Sequence, residues 1–169
     1  MAKTRLLFVY GTLLAEAKDA LGRHERARLA RESRRIGAAT TKGRLYDLGG
    51  YPGLVPSTPG SPVTSVQDRV SGEVVELLAP HQTFAWLDAY EGVTRVHDGC
   101  GAAMHAAGDA GPDLEGGHGD EYRRAVIPVA IGHDSDAQGE AREAWAYLYI
   151  GPLDRLRRID GGHWTMRGA

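Results

Sequence analysis

The chain has 169 residues, with 20 lysines and arginines against 22 aspartates and glutamates, for a formal charge of −2. That length fits one domain burying roughly two-thirds of its unfolded surface, and the balanced charge leaves no footprint for nucleic acid. Its apolar runs are too short to cross a membrane, and a single cysteine, Cys100, excludes an internal disulfide framework and a CxxC metal site.

The N-terminal stretch "MAKTRLLFVYGTL" begins basic and turns apolar, but Gly11 breaks the run and no secretory cleavage region follows. A cytoplasmic enzyme or binding protein is expected. The run Leu6 to Val9 is apolar throughout, which predicts a short strand covered on both faces. Tyr10, Gly11 and Thr12 stop it. A glycine there lets a ligand approach the backbone, whose free N–H groups can cradle an anion; an ordinary strand-to-loop transition is the alternative. Ala15 to Gly37 reads as largely helical, with a thin apolar stripe and seven basic residues that form a solvated face or, alternatively, a partner surface.

Ala38 to Gly49 reads as a strand, and the four prolines between Tyr51 and Val63 rule out a helix there. "VSGEVVEL", Val70 to Leu77, reads as a strand. Pro80 to Gly92 then reads as a short helix opened by proline and closed by glycine. Residues 93–121 are rich in glycine, carry three histidines and little large apolar material, and are expected to form a mobile loop. Tyr122 to Ile131 and Arg142 to Ile150 follow as two strands. In the second, Trp145, Tyr147 and Tyr149 alternate with small and aliphatic residues, so one face suits a core and the other a pocket wall. The tail offers a helical turn and Trp164. There is no internal repeat and no linker dividing two domains.

One carboxylate stands out. Phe84, Leu87 and Glu91 fall at i, i+3 and i+7, on one inward face of the helix. Burial and the negative end of the helix dipole both disfavour an ionised carboxylate at Glu91 and raise its pKa, which suits general acid–base work near neutrality. The alternative is a frayed helix end with Glu91 in water. Asp88, one turn earlier, either pairs with Glu91 or packs beside Arg123 or Arg124. His97, His105 and His118 lack the fixed i, i+4 spacing of a helical metal site, so no metal is expected. Cys100 has no ordered base nearby and reads as a surface thiol.

"VYGTL", "YPGL", "VSGEVVEL", "LDAYEG", "EYRRAVIPV" and "AWAYLY" occur in this order between Leu6 and Tyr149. The ordered set resembles the gamma-glutamylcyclotransferase-like superfamily, and within it the AIG2-like branch that includes gamma-glutamylamine cyclotransferases. The resemblance implies an α+β fold, a small mixed β-barrel with flanking helices and a central cavity. It places the substrate-holding signature on Tyr10, Gly11, Thr12 and Leu13, whose N–H groups would face the substrate α-carboxylate, and the catalytic glutamate on Glu91. The implied chemistry is cyclisation of a γ-glutamyl group to 5-oxoproline with release of an amine, without metal or organic cofactor. Tyr147 and Tyr149 are expected to line the cavity with their hydroxyls, barrel packing being the alternative. In typical members the glutamate segment and the "YxR" strand lie a few residues apart, whereas 30 residues separate Glu91 from Tyr122 here. Residues 93–121 are therefore expected to be an insertion next to the active site, acting as a lid or a specificity element.

The leading expectation is a cyclotransferase acting on a small-molecule γ-glutamyl amine, peptide or biosynthetic intermediate, with no nucleic-acid or membrane partner. A non-catalytic binding protein for a small carboxylate ligand is the alternative, and a partner-binding role for Arg23 to Arg35 is a third.

Overall fold

The computed structural model describes residues 4–18, 20–57, 68–93, 121–132 and 139–164. Among them run β1 (Leu6–Val9), α1 (Arg23–Glu32), β2 (Ser33–Asp47), β3 (Pro52–Pro56), β4 (Arg69–Leu77), α2 (Pro80–Tyr90), β5 (Tyr122–Ile131), β6 (Glu140–Tyr149) and β7 (Arg157–Ile159). Five strands close a ring in the order β2, β4, β1, β6, β5, and β5 returns to β2 through Ala39 opposite Ile131 and Thr40 opposite Ala130. The β1–β6 pair is parallel and the other ring pairs are antiparallel, so the barrel is mixed. Beyond the ring, the distal part of β2 also pairs with β3 and β7.

That double duty explains why β2 begins so early. The expected helix from Ala15 to Gly37 shrinks to α1, entered at Gly22 with its φ of 74° and left at Ser33, whose backbone is extended. Arg34 and Arg35 then lie opposite β4, where they pair with Glu76 at 2.5 Å and Glu73 at 2.7 Å. These cross-strand pairings and the ladder with β4 override the local helical tendency. A bulge between Arg35 and Gly37 turns Ile36 outward. β3, which the sequence does not announce, is an edge strand bounded by Pro52 and Pro56, where proline costs no ladder hydrogen bond.

Phe8, Leu45, Leu54, Val74, Ile127 and Leu148 come from the five ring strands and β3, and they meet in one buried cluster. A five-stranded barrel is narrower than the eight-stranded kind that side chains just fill, so its interior is solid. Two members of this cluster, Phe8 and Tyr10, also line the cavity at the end of β1, while α2 packs on the outside of the wall. A second cluster there joins Leu7, Val9, Trp145 and Tyr147 of the wall to Phe84 and Leu87 of α2, with Phe84 edge-on to Trp145 at 5.7 Å. Glu32 ties α2 down at its other end, accepting hydrogen bonds from Thr83 Oγ1 and Trp86 Nε1, both at 2.9 Å. With α2 held along its length, its C-terminal residue has a fixed place against the barrel.

Gly72 is where β4 crosses the end of β1. A Cβ at this position collides with the Val9 carbonyl and lies 2.8 Å from Phe8 Cζ. Neither neighbour is free to move, so Gly72→Ala is expected to lower stability by about 1–3 kcal/mol or more, the range of overpacking. Urea denaturation measures it, and a loss below about 0.5 kcal/mol contradicts this account of the glycine.

Candidate active site

β1 ends in a loop anchored on three sides. The Leu14 N–H donates to the Gly11 carbonyl at 2.9 Å, the Ala15 N–H donates to Glu73 Oε1 at 2.9 Å, and Arg26 donates to the Thr12 carbonyl. Glu73 is buried and also receives Arg35, so its charge is compensated. Gly11 needs to be glycine because of close approach rather than an unusual φ: a Cβ there lies 2.6 Å from Pro52 Cγ. Among the described residues, no acceptor meets the N–H groups of Gly11, Thr12 or Leu13. The loop therefore carries free donors.

This loop walls a cavity of about 520 Å³, together with Leu21, Tyr51, Pro52, the end of α2 and the start of β5. Glu91 sits on the cavity as the C-cap of α2, its N–H donating to the Leu87 carbonyl at 2.9 Å. Gly92 follows with φ 70°, a left-handed turn that ends the helix. The glutamate is half-buried: protein surrounds its carboxyl on most sides, while the residue opens on the cavity. No described donor meets the carboxylate. Loss of hydration, and secondarily the charge of Asp88, push its pKa from 4.5 up to about 7.

The raised pKa has a consequence for stability. Between pH 4.5 and about 7 the folded protein keeps a proton on Glu91 that the unfolded chain has released. Stability therefore falls as pH rises through that window. Glu91→Gln removes the effect, so the variant is expected to gain on the order of 3 kcal/mol relative to the parent at alkaline pH, and nothing of this kind in acid. Chemical denaturation on either side of the window measures the difference. An equal difference in both conditions contradicts the assignment.

Behind Glu91 lies a charged network. Arg124 Nη1 donates to both oxygens of Asp88, at 3.1 and 2.9 Å, and Tyr147 donates its hydroxyl to Asp88 Oδ1 at 2.6 Å. The guanidinium lies 4.0 Å from the centre of the Phe84 ring and 5.2 Å from that of Trp145. Of the partners weighed for Asp88, it is Arg124 that holds it.

Tyr10, Gly11, Thr12, Leu13, Glu91 and Tyr147 all line the cavity. Two hydroxyls are already engaged. Tyr10 donates to the Tyr147 carbonyl at 2.6 Å and accepts from the Leu54 N–H at 3.3 Å, while Tyr147 donates to Asp88. Burial pushes both phenols up, so they stay protonated. Tyr149 is a correction: it does not line the cavity, and its hydroxyl donates to the Pro152 carbonyl at 3.1 Å. It packs edge-on against Tyr122 at 5.9 Å. Tyr51, Tyr90, Glu121 and Tyr122 also line the cavity without having been singled out by spacing, although all four stand inside the motifs "YPGL", "LDAYEG" and "EYRRAVIPV". His97, Cys100, His105, His118 and nearly all of the expected insertion lie outside the described residues.

The fold and site set the free N–H groups of the β1 loop and one unpartnered carboxylate on the same cavity of a small mixed β-barrel. The chain belongs to the family described as gamma-glutamyl cyclotransferase, AIG2-like, whose model matches residues 7–166. Among solved structures it is similar to an AIG2-like protein of Mus musculus, at 16% identity and a TM-score of 0.59 over 99% of this chain and 92% of that one. It is also similar to the ytfP protein of Escherichia coli (26% identity, TM-score 0.49, 96% and 97% covered) and to an uncharacterized protein of Pyrococcus horikoshii (16%, 0.47, 95% and 89%). No curated protein sequence matches the chain. No helix among the described residues is long and apolar enough to cross a membrane.

Proposed function

We propose that this protein cyclises a γ-glutamyl amide, releasing 5-oxoproline and an amine, with Glu91 as the general acid and base. The observation that carries the reading is Glu91 itself: an unpartnered carboxylate with a pKa of about 7, on the same cavity as the free N–H groups of Gly11, Thr12 and Leu13. Family membership supports the reaction type.

The substrate α-carboxylate is held by the loop N–H groups. Its α-ammonium gives a proton to ionised Glu91, and the freed nitrogen attacks the γ-carbonyl carbon, forming the ring C–N bond. Glu91 passes that proton to the leaving nitrogen and takes the second proton from the ring nitrogen. The tetrahedral intermediate then collapses and the bond to the leaving nitrogen breaks; the second proton departs with the released amine, which restores ionised Glu91. Both reacting atoms belong to one molecule, so the protein mainly holds a folded conformer and moves protons. No external nucleophile is consumed.

A panel of γ-glutamyl amides assayed for 5-oxoproline tests the reading. Release from at least one member, absent with Glu91→Gln, is expected. If γ-glutamyl compounds bind and raise the melting temperature while no 5-oxoproline forms, the cavity is a ligand-binding site without chemistry.

A further inference from the structure

Cyclisation calls for one group more than the loop and Glu91 provide. When the ring C–N bond forms, the electron pair of the γ-carbonyl moves onto its oxygen, and it returns when the bond to the leaving nitrogen breaks. A donor aimed at that oxygen stabilises the intermediate between the two events. The loop N–H groups serve the α-carboxylate and Glu91 serves the two nitrogens, which leaves the hydroxyls on the cavity.

Among the described residues five tyrosines line the cavity. Four of them donate to the protein itself: Tyr10 to the Tyr147 carbonyl at 2.6 Å, Tyr122 to the Pro52 carbonyl at 3.0 Å, Tyr147 to Asp88 at 2.6 Å and Tyr51 to Glu121 at 3.2 Å. Tyr90 differs. Its hydroxyl lies 3.4 Å from Thr12 Oγ1, a long contact in which either oxygen can donate. With Thr12 as the donor, the phenolic proton is left for a ligand. Burial pushes this phenol above its usual pKa, so the proton is present at neutral pH. The hydroxyl is also held in place. Gly22 packs so closely that a Cβ there would lie 2.9 Å from it and 3.2 Å from Thr12 Cβ, while Arg26 of α1 grips the Thr12 carbonyl. Tyr90 is half-buried and opens on the same cavity as Glu91, its neighbour in the chain. We propose, resting on the cyclotransferase reading, that Tyr90 is a further catalytic residue, whose hydroxyl donates to the γ-carbonyl oxygen and stabilises the charge that builds there. It gives up no proton in the process.

Tyr90→Phe keeps the ring and removes the hydroxyl. With a γ-glutamyl amide that the parent turns over, kcat is expected to fall by about 10²-fold, the lower end of the loss when an oxyanion donor is removed. KM should stay within about threefold, since the bond strengthens only in the transition state. The matching γ-thioamide, whose sulfur is a poor acceptor, separates this role from a structural one. The parent should release amine from it more slowly than from the amide, and in Tyr90→Phe that penalty should shrink by about tenfold, because both changes remove one interaction. Turnover by Tyr90→Phe within about threefold of the parent, a rise in KM at unchanged kcat, or an equal sulfur penalty in both proteins overturns the assignment and leaves the cyclotransferase reading standing. Absence of 5-oxoproline with the parent overturns both.

Discussion

Glu91→Gln is expected to lower kcat by about 10²-fold or more while leaving the fold and substrate binding in place. General acid–base catalysis contributes roughly 10²–10⁴-fold when the group is positioned and its pKa lies near the working pH. Glutamine fills the same space at the end of α2 but can neither accept the α-ammonium proton nor deliver one to the leaving nitrogen. The other carboxylate among the described lining residues, Glu121, is tied to Tyr51, and Asp88, which does not line the cavity, is held by Arg124. In the parent, kcat/KM should also fall as pH drops below about 7, because protonated Glu91 cannot act as the base. Steady-state kinetics of the two proteins, with substrate affinity of the variant from calorimetry, measures the effect. Near-normal turnover by Glu91→Gln removes Glu91 from the mechanism.

The second large effect is on stability. Arg124→Met is expected to destabilise the protein by about 3–5 kcal/mol, the cost of leaving a buried charge without its partner. The stranded group is Asp88, which is buried and would keep only the Tyr147 hydroxyl. The substitution also removes the cation from the rings of Phe84 and Trp145, where it closes the packing between α2 and β6. Arg124→Lys keeps the charge but not the flat guanidinium over the Phe84 and Trp145 rings, so it should lose less and remain foldable for measurement. Adding Asp88→Asn to Arg124→Met should restore part of the loss, because the two residues share one interaction. Urea denaturation of the parent and these three variants, with Asp88→Asn alone to close the cycle, reads the coupling. A loss below about 1 kcal/mol in Arg124→Met, the scale of an exposed pair, shows that Asp88 is solvated instead.

Much of the fold is written in local signals. The apolar run gives β1 its bounds, the alternation of Trp145, Tyr147 and Tyr149 with small and aliphatic residues gives β6, and Pro80 with Gly92 brackets α2. What local signals do not carry is pairing at a distance. Ser33 to Gly37 looks helical until β4 supplies Glu73 and Glu76 as partners, and β3 and β7 are short strands defined only by the tail of β2. The site divides the same way. Glu91 faces inward because Phe84 and Leu87 on the same stripe are buried, which spacing alone conveys. Tyr149 shares the parity of Tyr147, yet its ring packs edge-on against its cross-strand partner Tyr122, which lines the cavity, and its hydroxyl turns to the Pro152 carbonyl. The links from Glu73 to the β1 loop, from Arg124 to Asp88 and from Tyr51 to Glu121 each join segments far apart in the chain, so no window of sequence contains them.

The measurement that bears most directly on the central claim is the fate of solvent oxygen during turnover of a γ-glutamyl amide in ¹⁸O-labelled water. Cyclisation keeps the γ-carbonyl oxygen and consumes no water, so the account predicts unlabelled 5-oxoproline in amounts equal to the released amine, and none above background with Glu91→Gln. Glutamate carrying ¹⁸O in its γ-carboxyl group would identify a hydrolase and contradict it.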